Sequence, residues 1–233
     1  IICTQCLKDE EYVNSNYVIM ATKMGQVKQT SLEQYSRTRS NGINAITIND
    51  GDELLEAKLT NGNSQIMLAV KSGKAIRFEE SKTRPMGRNA SGVRGIRLKD
   101  NKDEVVGMIS VNDMDANILV VSENGYGKRS ALEDYRLTNR GGKGVKTISI
   151  TEKTGKLVTL KSVSDNDDLM IINKSGIAIR MQVEDLRVMG RATQGVKVIS
   201  LKDGDSIAAV AKVMKDDDDL EDINEIEFTG DTV

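Results

Sequence analysis

One pattern is written four times along this chain: an apolar run, a turn ending in glycine, a basic residue, and about 19 residues after the glycine a second glycine followed by Val or Ile and a basic strand. The copies occupy residues 17–48, 65–98, 117–150 and 168–201, with first glycines Gly25, Gly73, Gly125 and Gly176 at spacings of 48, 52 and 51 residues. A fixed period near 50 means repeated supersecondary units, each too small to bury its apolar face alone, so each must pack against the next. The 233 residues are therefore expected to build one array of similar units.

Each unit opens with a short apolar run: Tyr17-Val18-Ile19-Met20-Ala21, Ile66-Met67-Leu68-Ala69-Val70, Ile118-Leu119-Val120-Val121 and Leu169-Met170-Ile171-Ile172. Runs this short, bounded by turn residues, fit strands buried on both faces. The turn glycines accept the positive φ that closes a hairpin, and Asn124-Gly125 is the strongest such signal. A second strand follows, carrying Lys28, Arg77, Lys128 with Arg129, or Arg180, and then a polar loop leads to the second glycines Gly42, Gly92, Gly144 and Gly195. Strands are expected next at 43–48, 93–98, 145–150 and 196–201, and again at 54–59, 105–111, 156–163 and 207–213. The pattern predicts an all-β protein of four-stranded antiparallel blades at about 16–63, 64–115, 116–166 and 167–214, with helical periodicity confined to single turns near 31–35 and 183–186. Residues 1–15 read as the end of a preceding blade.

Composition narrows the chemistry. The chain has no His and no Trp, and its two cysteines, Cys3 and Cys6, form a CxxC without the second ligand pair a structural zinc needs. The surroundings offer no βαβ setting for a redox role, so two reduced thiols are expected. Apolar runs end at about six residues, far short of a membrane span. No acid–base pair, triad or metal cluster can be assembled, and no residue is nominated as catalytic. A soluble cytoplasmic protein without a cofactor is expected.

Charge is segregated. Residues 215–233 hold nine acids against one lysine, and setting them and the first 15 residues aside leaves 31 basic and 23 acidic residues in the repeat body. The tail reads as a solvated, disordered end, or as a competitor with polyanions for the basic body. Within the body, Arg88, Arg140 and Arg191 stand four residues ahead of the second glycine, with Arg37 and Arg39 flanking the corresponding place in the first unit. Arg94, Lys146 and Lys197 stand two residues after it. Cations in register on a curved array would form a stripe able to track a phosphate backbone. Arg140-Gly141-Gly142-Lys143-Gly144 has the makings of a polyanion cradle, though not of a nucleotide P-loop, which needs Ser or Thr after Gly-Lys. The competing reading is that the glycines only turn the chain and the cations only solubilise a rim.

Several segments, in order and at the right spacing, resemble the C-terminal domains of DNA gyrase A. They are Asn124-Gly125-Tyr126-Gly127-Lys128-Arg129, Gly92-Val93-Arg94-Gly95-Ile96-Arg97-Leu98, Met189-Gly190-Arg191-Ala192-Thr193-Gln194-Gly195-Val196 and Asp50-Gly51-Asp52-Glu53-Leu54. The resemblance covers nearly everything from about residue 17 to 213 and extends to the acidic tail. It implies a β-pinwheel in which strands are exchanged between neighbouring blades and double-stranded DNA bends around a basic outer edge. It further implies a non-catalytic module of a bacterial, nucleoid-associated, ATP-dependent type IIA topoisomerase. ATP and magnesium would be used elsewhere in the holoenzyme, and the partners would be the rest of gyrase A together with gyrase B. The family usually carries six blades, so four would be an excerpt. Its hallmark heptapeptide, Gln-Arg-Arg-Gly-Gly-Lys-Gly, finds its nearest counterpart in Thr138-Asn139-Arg140-Gly141-Gly142-Lys143-Gly144. On this reading Lys28, Arg37, Arg39, Arg77, Arg88, Arg94, Lys128, Arg129, Arg140, Lys143, Lys146, Arg180, Arg191 and Lys197 touch phosphates, and Gly141, Gly142 and Gly144 join the DNA-binding set by letting main-chain amides approach closely. Tyr35 and Tyr135, in equivalent places, are expected to pack within their blades. The alternatives are the related domain of topoisomerase IV and a kelch-type interaction propeller, whose signature aromatics are missing.

Overall fold

A computed structural model describes residues 10–37, 40–202 and 204–214. Cys3, Cys6, Arg39 and the acidic segment 215–233 lie outside the described residues.

The first unit pairs β1 (Tyr17–Thr22) with β2 (Gln26–Ser31) as a hairpin and adds β3 (Leu54–Thr60) on the other edge of β1. The second unit repeats this with β4 (Gln65–Val70), β5 (Lys74–Glu79), the two-residue β6 (Val93–Arg94) and β7 (Val105–Val111). The third has β8 (Asn117–Ser122), β9 (Tyr126–Ala131), β10 (Val145–Lys146) and β11 (Leu157–Val163). The fourth has β12 (Asp167–Asn173), β13 (Ala178–Gln182), β14 (Val196–Lys197) and β15 (Ile207–Met214). The all-β expectation holds, and the central strands β1, β4 and β8 are buried on both faces, as their unbroken apolar runs required.

The short strand of each unit pairs not with its own hairpin but with the one before: β6 with β2, β10 with β5, and β14 with β9. The sheet orders are accordingly β3-β1-β2-β6, β7-β4-β5-β10 and β11-β8-β9-β14. Two details of the sequence reading are corrected. The expected strand at 43–48 is not one: it runs as loop, with Ile43, Ala45 and Ile46 packed on Val18, Met20, Leu32 and Tyr35. The fourth sheet has three described strands, in the order β13-β12-β15, and among the described residues β13 pairs on one edge only, with Ile179 41% exposed. Residues 10–15 form one short helix, α1 (Glu10–Ser15), with Val13 in the same cluster as Leu32 and Tyr35.

The apolar cores lie at the joints between units. Ile19, Ala21 and Val27 of the first unit share a core with Ile66, Leu68, Ile76, Phe78 and Ile96 of the second. Met67, Ala69 and Ile109 meet Ile118, Val120, Tyr135 and Ile148 of the third, and Leu119 and Val121 meet Leu169, Leu186 and Ile199 of the fourth. Each such side chain taken from water contributes about 1.5–3 kcal/mol, so the joints hold most of the stability. The second glycines make this approach possible. At Gly92, Gly144 and Gly195 φ is +97°, +69° and +84°, and a Cβ would stand 2.6, 2.5 and 2.6 Å from the carbonyl oxygens of Val27, Ala75 and Gly127. Gly42 shares the positive φ but would meet nothing within 4 Å.

Candidate nucleic-acid interface

The strand cations turn inward. Lys28 and Lys128, at the third position of β2 and β9, are fully buried. The Lys28 ammonium donates to the carbonyls of Ala45 and Arg88 at 2.5 Å each, and that of Lys128 to the Gly190 carbonyl at 2.6 Å and to Thr193 Oγ1 at 3.1 Å. Burial pulls both from the ordinary 10.5 to about 8, helped for Lys28 by Arg88 and for Lys128 by Arg191, against the pull of Asp134. The corresponding residue of the second unit is Ile76, also buried. Arg129 is 7% exposed and gives its guanidinium to the carbonyls of Leu186 and Glu184 and to the carboxylate of Asp165. Arg77 donates to Leu132 O and Tyr135 O at 2.9 and 3.0 Å and to Gln65. The expectation that Lys28, Arg77, Lys128 and Arg129 touch phosphates meets a different arrangement: each bonds at least one main-chain carbonyl of the following unit, and Lys28 also bonds Ala45 O of its own.

The loop arginines also bond within the joints. Arg88, Arg140 and Arg191 are half-buried and reach back across the joint in one repeated geometry. Their Nη1 atoms donate to Asn44 O at 2.9 Å, Arg94 O at 3.1 Å and Lys146 O at 2.8 Å. Nε of Arg140 adds Lys82 O and Nε of Arg191 adds Asp134 O, both at 2.9 Å. The glycine loop is equally committed: Gly141 N donates to Gly95 O at 2.6 Å, Gly142 O accepts from Arg97 N at 2.8 Å, and Gly144 packs on Ala75. Arg180 is paired with Asp168 at 2.7 Å, its side chain 44% exposed.

Arg94, Lys146 and Lys197 are exposed in one register, opposite Gln26, Lys74 and Tyr126 on the exchanged strands. Lys143 and Arg37 are exposed as well. A further row escaped the sequence reading: Arg84, Arg136 and Arg187, each four residues before a clasping arginine, are all exposed. Each follows a buried side chain, Thr83, Tyr135 or Leu186, and precedes the residue, Pro85, Leu137 or Val188, that bridges to the preceding hairpin. The missed signal is the doublet Arg-x-x-x-Arg in 84–88, 136–140 and 187–191, of which only the second member was weighed. Arg136 and Lys143 line one small cleft of about 160 Å³. Tyr35 and Tyr135 are buried in their clusters, as expected.

An array of strand-exchanged β-blades with cations repeating along its joints defines a β-propeller-like repeat protein with a basic edge. The family model described as "DNA gyrase C-terminal domain, beta-propeller" matches residues 16–61, 65–112, 116–164 and 167–214, one match to each unit, and the chain belongs to that family. It is 44% identical over 219 residues to DNA gyrase A of Staphylococcus epidermidis (strain ATCC 12228), covering 94% of this chain and 24% of the relative. It is 43% identical over 235 residues to DNA gyrase A of Staphylococcus aureus (strain NCTC 8325), covering 100% and 26%. The chain thus spans about a quarter of the length of these relatives. Among solved structures it matches a DNA gyrase A C-terminal domain at TM-score 0.76 and 27% identity, over 86% of this chain and 67% of that one. A DNA topoisomerase IV C-terminal domain matches in fold at TM-score 0.82 and 23% identity, over 92% and 68%.

Proposed function

We propose that this chain binds duplex DNA along the exposed cations of its joints and bends the duplex around that edge. The observation that carries the reading is the outward register of Arg84, Arg136 and Arg187 with Arg94, Lys146 and Lys197, one pair of cations per joint. Packing accounts for the buried cations but leaves this outer set unexplained. Such contacts neutralise phosphates and carry little base specificity. Bending pulls more of the duplex onto the edge, at an elastic cost that favours flexible sequences.

Within a gyrase, a bent or wrapped segment presented with one handedness gives strand passage its direction, and so negative supercoils. The chain supplies binding and handedness; cleavage, ATP and magnesium belong to the rest of gyrase A and to gyrase B, in the bacterial cytoplasm. The 43–44% identity to gyrase A relatives favours this reading over a topoisomerase IV or kelch-type role.

The test is the affinity of the chain for a duplex across a salt series. If the six outward cations each meet a phosphate, log affinity falls against log salt with a slope of roughly −5, at about −0.9 per contact. A salt-independent weak affinity, or none at low salt, overturns the reading.

A further inference from the structure

The joint between the second and third units carries an open cleft of about 470 Å³ that the repeat pattern does not account for. Six lysines line it: Lys71 and Lys74 at the β4–β5 turn, Lys99 and Lys102 before β7, Lys146 on β10 and Lys156 before β11. Its floor is apolar, from Ile148 and Ile150. Four of the lysines are exposed, and among the described residues only Lys71 of the six is held in an ion pair, to Glu104 at 2.7 Å. The two acids of the lining face the main chain. The Asp103 carboxylate accepts from the amides of Ser72 and Lys99 and from the Ser72 hydroxyl, and that of Asp100 from the amide of Lys102.

The fold itself supplies the control. The same backbone hydrogen bonds, Val105 N to Lys23 O, Leu157 N to Lys71 O and Ile207 N to Glu123 O, superpose the three joints. The places held by Lys71, Lys74, Lys146 and Lys156 are Lys23, Gln26, Arg94 and Glu104 at the first joint, and Glu123, Tyr126, Lys197 and Ser206 at the third. Two cations, four and one: folding a joint does not require lysine there. Gathering like charges in a partly enclosed cleft costs self-repulsion, which a bound polyanion would relieve.

We infer that this cleft is a phosphate-binding site. On the DNA-binding reading above, on which this step rests, its occupant is the phosphate backbone of the bound duplex. The cleft adjoins the outward row, since Lys143 and Val145 line the neighbouring small cleft and Lys146 lines this one. It makes the second joint a stronger anchor than the other two.

The experiment is lysine-selective acylation of the whole chain, read by mass spectrometry, free, with a short duplex and with inorganic tripolyphosphate. It is joined to duplex affinities of the triple variant Lys74→Ala, Lys99→Ala, Lys102→Ala and of a control losing equal charge, Lys161→Ala, Lys174→Ala, Lys202→Ala. The duplex should lower labelling of Lys74, Lys99 and Lys102 at least threefold while sparing the control lysines. The cleft variant should lose about tenfold in affinity and two to three units of salt slope, and the control much less of either. DNA binding without protection of the cleft overturns the assignment to DNA. Protection by tripolyphosphate but not by duplex also overturns it and leaves a site for small polyanions. If the chain binds no DNA, the proposed function fails on its own; protection by tripolyphosphate then upholds the phosphate site, and its absence overturns that too.

Discussion

Two rows of arginine stand four residues apart in the same loops and are placed differently. Arg88, Arg140 and Arg191 fold back across the joints onto Asn44, Arg94 and Lys146 carbonyls, whereas Arg84, Arg136 and Arg187 point outward, exposed. The same division separates the buried Lys28 and Lys128 from the exposed Lys146 and Lys197. Repetition in register is therefore not in itself a sign of a ligand. A joint that must satisfy the same main-chain carbonyls in each unit repeats its cations as faithfully as a row that follows a phosphate backbone.

Substitutions on either side of this division should part company. The largest effect is expected for Gly144→Ala, where a Cβ would sit 2.5 Å from Ala75 O at a φ of +69°. It should lower unfolding free energy by about 3 kcal/mol, while Gly42→Ala, strained in φ alone, should cost about 1–2 kcal/mol by denaturant titration. Next comes Lys128→Ala, which removes the two hydrogen bonds of the ammonium, to the Gly190 carbonyl and Thr193 Oγ1, and the packing of a fully buried side chain, for a loss of about 2 kcal/mol. Arg140→Ala should cost about 1 kcal/mol through its two carbonyl bonds, and Arg136→Ala should stay within about 0.5 kcal/mol. Equal losses for Arg136 and Arg140 would erase the division.

The buried lysines also leave a mark on pH dependence. With their folded values lowered to about 8, Lys28 and Lys128 release protons that the unfolded chain keeps up to about 10.5. The unfolded state then binds more protons, so the contribution of these two groups to stability rises from about pH 8 upward, by roughly 1 kcal/mol per pH unit for each. The measurement is best kept below pH 9.5 or so, because burial raises the phenols of Tyr35 and Tyr135, whose contribution falls at higher pH. The double variant Lys28→Met, Lys128→Met should flatten the rise.

Much of the fold was legible because the period, the apolar runs and the turn glycines each answer to a local cause. The hairpins fell where Gly25, Gly73, Gly125 and Gly176 placed them, with φ between +78° and +87°. Which hairpin each short strand joins was not legible in the spacing, since β6 fits the pleat of its own unit as well as that of the preceding one, and only the resemblance to a pinwheel implied the exchange. The site was half legible. Lys146 and Lys197 were placed correctly at the surface, but nothing local marks Lys128 as buried, because its partners, Gly190 and Thr193, lie more than 60 residues away. Arg136 escaped notice because the outward member of each doublet stands next to a buried residue and resembles ordinary surface charge.

The most direct test of the division compares duplex affinity across a salt series for the chain, for Arg84→Ala, Arg136→Ala, Arg187→Ala, and for Arg88→Ala, Arg140→Ala, Arg191→Ala, with thermal unfolding of each. The outward triple should lose at least tenfold in affinity and roughly two to three units of salt slope at an unchanged melting temperature. The clasping triple should melt lower yet, while folded, keep a slope within about one unit of the parent. A clasping triple that flattens the slope while the outward triple leaves it intact would contradict the account and return the phosphate contacts to Arg88, Arg140 and Arg191.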